Sequence, residues 1–127
     1  QDFIPYDQLV RYKWWFREGY MSSTGHCFDI GGATSSSLQE FERRQNEFRE
    51  KHRRSIEKKE EYVNDDLMKK FDVYCSAAEV AGNGGLMRLA PVPLFFYRNI
   101  FLAIEFSGRS SEITHGDRRA RDAARYY

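Results

Sequence analysis

An all-α fold follows from three observations. Apolar residues recur at three- and four-residue spacing, and charged stretches interleave acids with bases as a solvated helix face does. No run alternates apolar with polar residues over the length of a strand. With 127 residues, 41% of them hydrophobic and 16% aromatic, the chain suits one folded domain with a modest core.

The first helix is expected over Asp7 to Glu18, with Asp7 as its cap and Gly19 as its end. Leu9, Val10, Tyr12, Trp14, Trp15 and Phe16 give it a wide apolar surface, which implies burial on more than one side. Tyr20 to Thr34 packs hydroxyls, glycines and one acid, Asp29, around Phe28 and Ile30, and reads as a compact polar loop. Ser35 to about Tyr62 is strongly helical and charged, with a narrow apolar stripe at Leu38, Phe41, Phe48 and Ile56. His52 stands among basic residues and is expected in solvent. A break or cap at Asn64 and Asp65 leads to a helix ending near Glu79, with Leu67, Met68, Phe71, Val73 and Tyr74 facing inward.

Ala81 to Pro91 reads A-G-N-G-G-L-M-R-L-A-P. Three glycines around Asn83 let the backbone turn tightly and come close to another group. A glycine-rich loop that opens a helix presents free N–H groups and the positive end of a dipole, which suits an anion. A plain connecting loop would use the same residues. An apolar helix is expected from Leu86 to Tyr97, kinked or shortened by Pro91 and Pro93. Another follows from about Ile100 to Ser110. The turn Thr114 to Asp117 then caps a last helix through Ala120, Ala123 and Ala124.

The bulk chemistry excludes several classes. A net charge of +1 gives no general attraction to nucleic acid or to an anionic membrane. No apolar run approaches the ~20 residues needed to span a bilayer. There is no signal-peptide pattern, and Cys27 and Cys75 define neither a metal motif nor a disulfide framework. An intracellular, cytoplasmic setting is therefore expected. Gln1 in place of an initiator methionine, and a helical pattern still running at Tyr127, suggest a segment of something larger.

Three motifs stand in order: S-S-T-G-H-C-F-D-I-G, G-N-G-G-L-M-R-L-A-P-V and T-H-G-D-R-R-A-R-D-A-A-R-Y-Y. Together they resemble the ADP-ribosylglycohydrolase family over nearly the whole chain. The resemblance implies the central part of one compact helical domain over residues 1–127, with a charged insert at about 42–78. It implies a hydrolase that removes ADP-ribose from a protein side chain, typically arginine, using two Mg2+ or Mn2+ ions. The family's two acidic metal motifs are not present, and the adjacent pair Asp65 and Asp66 does not match them, so the metal ligands are expected outside this segment. The isolated segment is then expected to be inactive.

By the same resemblance, Gly82, Asn83, Gly84 and Gly85 cradle the diphosphate, and Ser22, Ser23, Thr24 and Gly25 form a second wall. Asp29 lies near the reacting ribose, bonding a hydroxyl or orienting water, with a purely structural hydrogen bond as its alternative. His115 lies beside the bound ADP-ribose or simply holds its turn. Arg88 reaches a phosphate or forms an internal salt bridge with an acid such as Asp29. The charged insert is expected to project and to bind a protein partner, so deleting Arg43 to Glu61 should leave ADP-ribose affinity unchanged. Rival readings are a non-catalytic relative acting as a structural module, and an ADP-ribose reader without hydrolysis.

Overall fold

The computed structural model describes residues 3–52 and 69–127. Its helices are α1 (Pro5–Glu18), α2 (Gly32–His52), α3 (Gly84–Met87), α4 (Pro91–Phe95), α5 (Ile100–Glu112) and α6 (Arg118–Tyr126). No strand occurs among the described residues, and the fold is all-α.

Helix α1 begins two residues before the expected start. Pro5 occupies its first turn, where a missing N–H costs nothing, and Ile4 holds the N-cap position without a side-chain bond. Asp7 is therefore a first-turn residue and pairs with Arg11 at 2.9 Å; it is not the cap. The far end is as expected. Gly19 adopts φ +67°, and its N–H donates to the Trp15 carbonyl at 3.0 Å.

Tyr6, Leu9 and Val10 of α1 meet Leu38 and Phe41 of α2, Cys75 and Ile113 in the main core. Tyr6, Phe41 and Phe71 pack edge to face with ring centroids 5.2–5.4 Å apart. Burial raises the Cys75 thiol to about 12, which keeps it protonated and inert. A second core joins Leu89, Val92 and Ala124, with Phe3, Phe96 and Phe106 packed against it.

The stretch expected to project is anchored at both ends. Gln45 is buried; its amide donates to Tyr6 Oη at 2.7 Å and its carbonyl accepts from Lys13 Nζ at 2.8 Å. Phe48, Phe71 and Val73 pack on the main core. Deleting Arg43 to Glu61 would remove Gln45 and Phe48 from that core, so the deletion costs stability. Ile56, Asn64, Asp65, Asp66, Leu67 and Met68, and with them most of the partner surface expected there, lie outside the described residues. So does the side chain of His52.

No helix reaches Glu79. Helical backbone ends at Lys70, and residues 71–80 run as an irregular segment. The Asp72 carboxylate accepts from the Tyr74 N–H at 3.1 Å and pairs with Arg44 at 2.9 Å. A short acidic side chain bonded to nearby backbone competes with the helix, and Tyr74 turns outward, 51% exposed. The apolar helix expected from Leu86 to Tyr97 is two short ones, because Pro91 starts its own helix.

Helix α5 packs through small residues. Ala103, Ser107, Gly108, Ser110 and Ser111 are buried, while Ile100 and Phe101 are largely exposed. Small side chains let α6 approach closely, and α6 begins at the expected cap, where Asp117 accepts from the Arg119 N–H at 2.7 Å. The turn before it is stitched to the irregular segment: Gly116 N–H donates to Ser76 Oγ at 3.0 Å, and Asp117 N–H to the Val80 carbonyl at 3.1 Å. Those two bonds carry His115 under the glycine loop.

Among the described residues, no helix is long and apolar enough to cross a membrane.

Candidate functional site

A cleft of about 670 Å³ opens between α1, the start of α2, the glycine loop and the His115 turn. That volume falls within the range of small-molecule sites. Asp29, Gly82, Asn83, Gly84, Arg88 and His115 all reach it, so five of the expected site residues converge with Arg88 from distant parts of the chain.

The glycine loop contributes backbone rather than a dipole. Asn83 is the N-cap of α3, but α3 is only four residues long. A second set of free backbone N–H groups was not legible in the sequence. Helix α2 begins at Gly32, three residues earlier than expected, and Gly31 to Thr34 line the cleft. Ser35 N–H bonds the Gly31 carbonyl at 3.0 Å, so the N–H groups of the first turn precede the intrahelical ladder and are open to a ligand. No acid stands in that first turn to compete. The signal was present as G-G-A-T before a polar helix, with the glycines masking the helix start.

Ser22, Ser23, Thr24 and Gly25 stand outside the cleft lining. Ser22 Oγ donates to the His26 carbonyl at 2.7 Å and Thr24 Oγ1 to the same carbonyl at 3.1 Å, so these hydroxyls close their own turn. Gly85 is buried beneath the loop, where a Cβ would meet Ser111 Oγ at 2.5 Å. It packs against Ser111 and stands outside the cleft lining. Tyr12, Trp15, Ile30 and Met87, which complete the lining, carried no sequence signal distinguishing them from core residues.

Asp29 is exposed in the cleft with φ +49°. Left-handed backbone costs an L-residue roughly 1–2 kcal/mol, less for aspartate than for most. Among the described residues its carboxylate takes neither the structural hydrogen bond nor the Arg88 salt bridge that the sequence left open.

Arg88 instead sits in a neutral cradle. Nη1 donates to Tyr12 Oη at 3.0 Å and Ser110 Oγ at 3.2 Å; Nη2 donates to the Ser110 carbonyl at 2.8 Å and to Thr114 Oγ1. Its guanidinium also lies 4.8 Å from the Tyr12 ring centroid. No carboxylate neutralises it among the described residues, so its positive charge acts on the cleft.

His115 is 2% exposed, with Nδ1 2.9 Å from Thr114 Oγ1. Its other edge faces the loop: a Cβ on Gly84 would lie 3.1 Å from Nε2, and one on Gly82 3.5 Å. Burial first, and then the Arg88 charge, hold its pKa below the ordinary 6.5. Protonation therefore costs the folded state more than the unfolded chain. This contribution to stability is complete above pH 6.5 and is lost as pH falls through the lower folded value. Melting temperature recorded from about pH 7.5 to about pH 5 should fall on the acid side, and His115→Gln should flatten that fall.

Among the described residues no three His, Cys, Asp or Glu side chains are grouped to hold a metal ion. The cleft carries one carboxylate and one histidine, a donor set that does not fit the two ions the resemblance implies.

The family model for ADP-ribosylglycohydrolases matches residues 3–127. An ADP-ribosylarginine hydrolase, Tri1 of Serratia proteamaculans (strain 568), is 29% identical over 109 residues. The match takes in 86% of this chain and 22% of that relative's length. No solved structure matches. With the helical fold and the convergence of its glycine, aspartate and histidine motifs on one cleft, this chain belongs to the ADP-ribosylglycohydrolase family.

Proposed function

We propose that the cleft holds the ADP-ribose portion of a modified protein, and that the protein it serves hydrolyses the N-glycosidic bond to the acceptor, arginine by analogy with the Serratia relative. One observation carries the reading: the start of α2, the glycine loop and His115 surround a single cleft that also presents the carboxylate of Asp29, unpartnered among the described residues. A diphosphate is matched by backbone N–H groups, a helix N-terminus and the nearby Arg88 charge. Asp29 is placed to accept a hydrogen bond from a ribose hydroxyl or from water. The described residues do not form the two-metal site, so no step is assigned to metal, and Mg2+ or Mn2+ would be held by other residues.

Two measurements test this. Calorimetric titration should show ADP-ribose binding that survives chelator, because the donors belong to the cleft itself. Hydrolysis of ADP-ribosyl-arginine with magnesium should occur in the full-length protein and not in this segment. Asp29→Asn should keep ADP-ribose affinity within about threefold while cutting full-length turnover by about 100-fold or more. Loss of binding in chelator, or turnover by the segment alone, would overturn the division between a substrate-holding cleft and metals supplied elsewhere.

A further inference from the structure

Arg88, Thr114 and His115 form a chain of hydrogen bonds whose direction can be read from one end. A guanidinium donates and never accepts, so Thr114 Oγ1 must accept from Arg88 Nη2. The hydroxyl keeps one proton to give away. Among the described residues the polar side-chain atom in reach of it is His115 Nδ1, 2.9 Å away. Thr114 is fully buried and His115 nearly so, which shields that proton from bulk solvent. Were Nδ1 itself protonated, the Thr114 proton would be stranded without an acceptor, which is the costly arrangement in a buried network. The satisfied arrangement has Thr114 donating to a bare Nδ1, and a neutral imidazole must then carry its proton on Nε2.

Nε2 is the atom on the cleft side, beneath Gly82 and Gly84. We propose that Arg88 and Thr114 are positioning residues that set the His115 tautomer, so that the cleft wall presents an N–H donor at this point. The ligand atom received there is an oxygen acceptor, a phosphoryl or ribose oxygen, and a group offering only a proton is rejected. Of the sequence alternatives for Arg88, the salt bridge with Asp29 is not formed among the described residues, and a further role stands beside phosphate contact. In that role Arg88 acts on the ligand through a neighbouring side chain. The ligand class rests on the function proposed above; the tautomer does not.

The test separates the two. In the full chain labelled with 15N-histidine and free of ligand, long-range 1H–15N correlation at neutral pH should show His115 protonated on Nε2 and bare on Nδ1. Thr114→Ser keeps the hydroxyl and should keep that pattern, with ADP-ribose affinity within about twofold. Thr114→Val removes it and should shift His115 toward a mixture of tautomers, weakening ADP-ribose by about tenfold. An Nδ1–H tautomer in the unsubstituted protein overturns the proposal, as does an unchanged pattern in Thr114→Val. The expected tautomer without any ADP-ribose binding would support the positioning chain and overturn the ligand assignment instead.

Discussion

Gly19→Ala should be the most damaging single methyl group in the chain, costing about 2–5 kcal/mol of folding stability. Two effects combine. The residue ends α1 at φ +67°, a conformation that carries a penalty of about 1–2 kcal/mol for any side chain with a Cβ. The added carbon would also sit 2.3 Å from the Gly25 carbonyl oxygen and 2.6 Å from His26 Cα. Those atoms are backbone, so the whole turn must move. Because that turn leads into Asp29 and the start of α2, ligand affinity should fall with stability. Gly25→Ala is the control. Its φ of +75° is equally left-handed but the space around it is empty, so only the conformational part of the cost should appear in urea denaturation. Equal losses at the two positions would remove the steric part of this account.

Gly84→Val should separate binding from folding. A Cβ at Gly84 meets His115 Cε1 at 3.0 Å and Thr34 Oγ1 at 3.4 Å, and His115 is too enclosed to yield. The branched side chain then stands between the start of α2 and the histidine, where the anion is proposed to lie. ADP-ribose affinity should drop by about 100-fold or more, equivalent to about 2.7 kcal/mol, with a smaller loss of stability. Gly82→Ala, whose Cβ would make an ordinary 3.5 Å contact with Nε2, should change affinity by about threefold at most. If calorimetry finds Gly82→Ala as harmful as Gly84→Val, the loop contributes flexibility and not close approach.

Local chemistry was legible where one residue decides the outcome. The left-handed Gly19, the Asp117 cap and the proline break at Pro91 each depend on neighbours within a few residues, and each appears where expected. Position relative to solvent was less legible. Tyr74 carries the same apolar signature as Phe71, yet Asp72 diverts the backbone between them and leaves Tyr74 outside. Ser22 to Gly25 read as a ligand wall because hydroxyls and glycines look alike whether they face a ligand or close a turn. The partner of Ser22 and Thr24, the His26 carbonyl, becomes visible only in three dimensions.

Amino-acid order alone determined the helical class, the helix ends set by glycine, aspartate and proline, and the family, because these rest on spacing along the chain. Only the tertiary structure decided which residues share the cleft. It brought Gly31 to Thr34 opposite His115 and placed Arg88 against Thr114 and not Asp29. The reason is physical: a helix start or a hydrogen bond spanning 26 residues is specified by the packing of α1, α2 and α5 around it, and no local pattern records that packing.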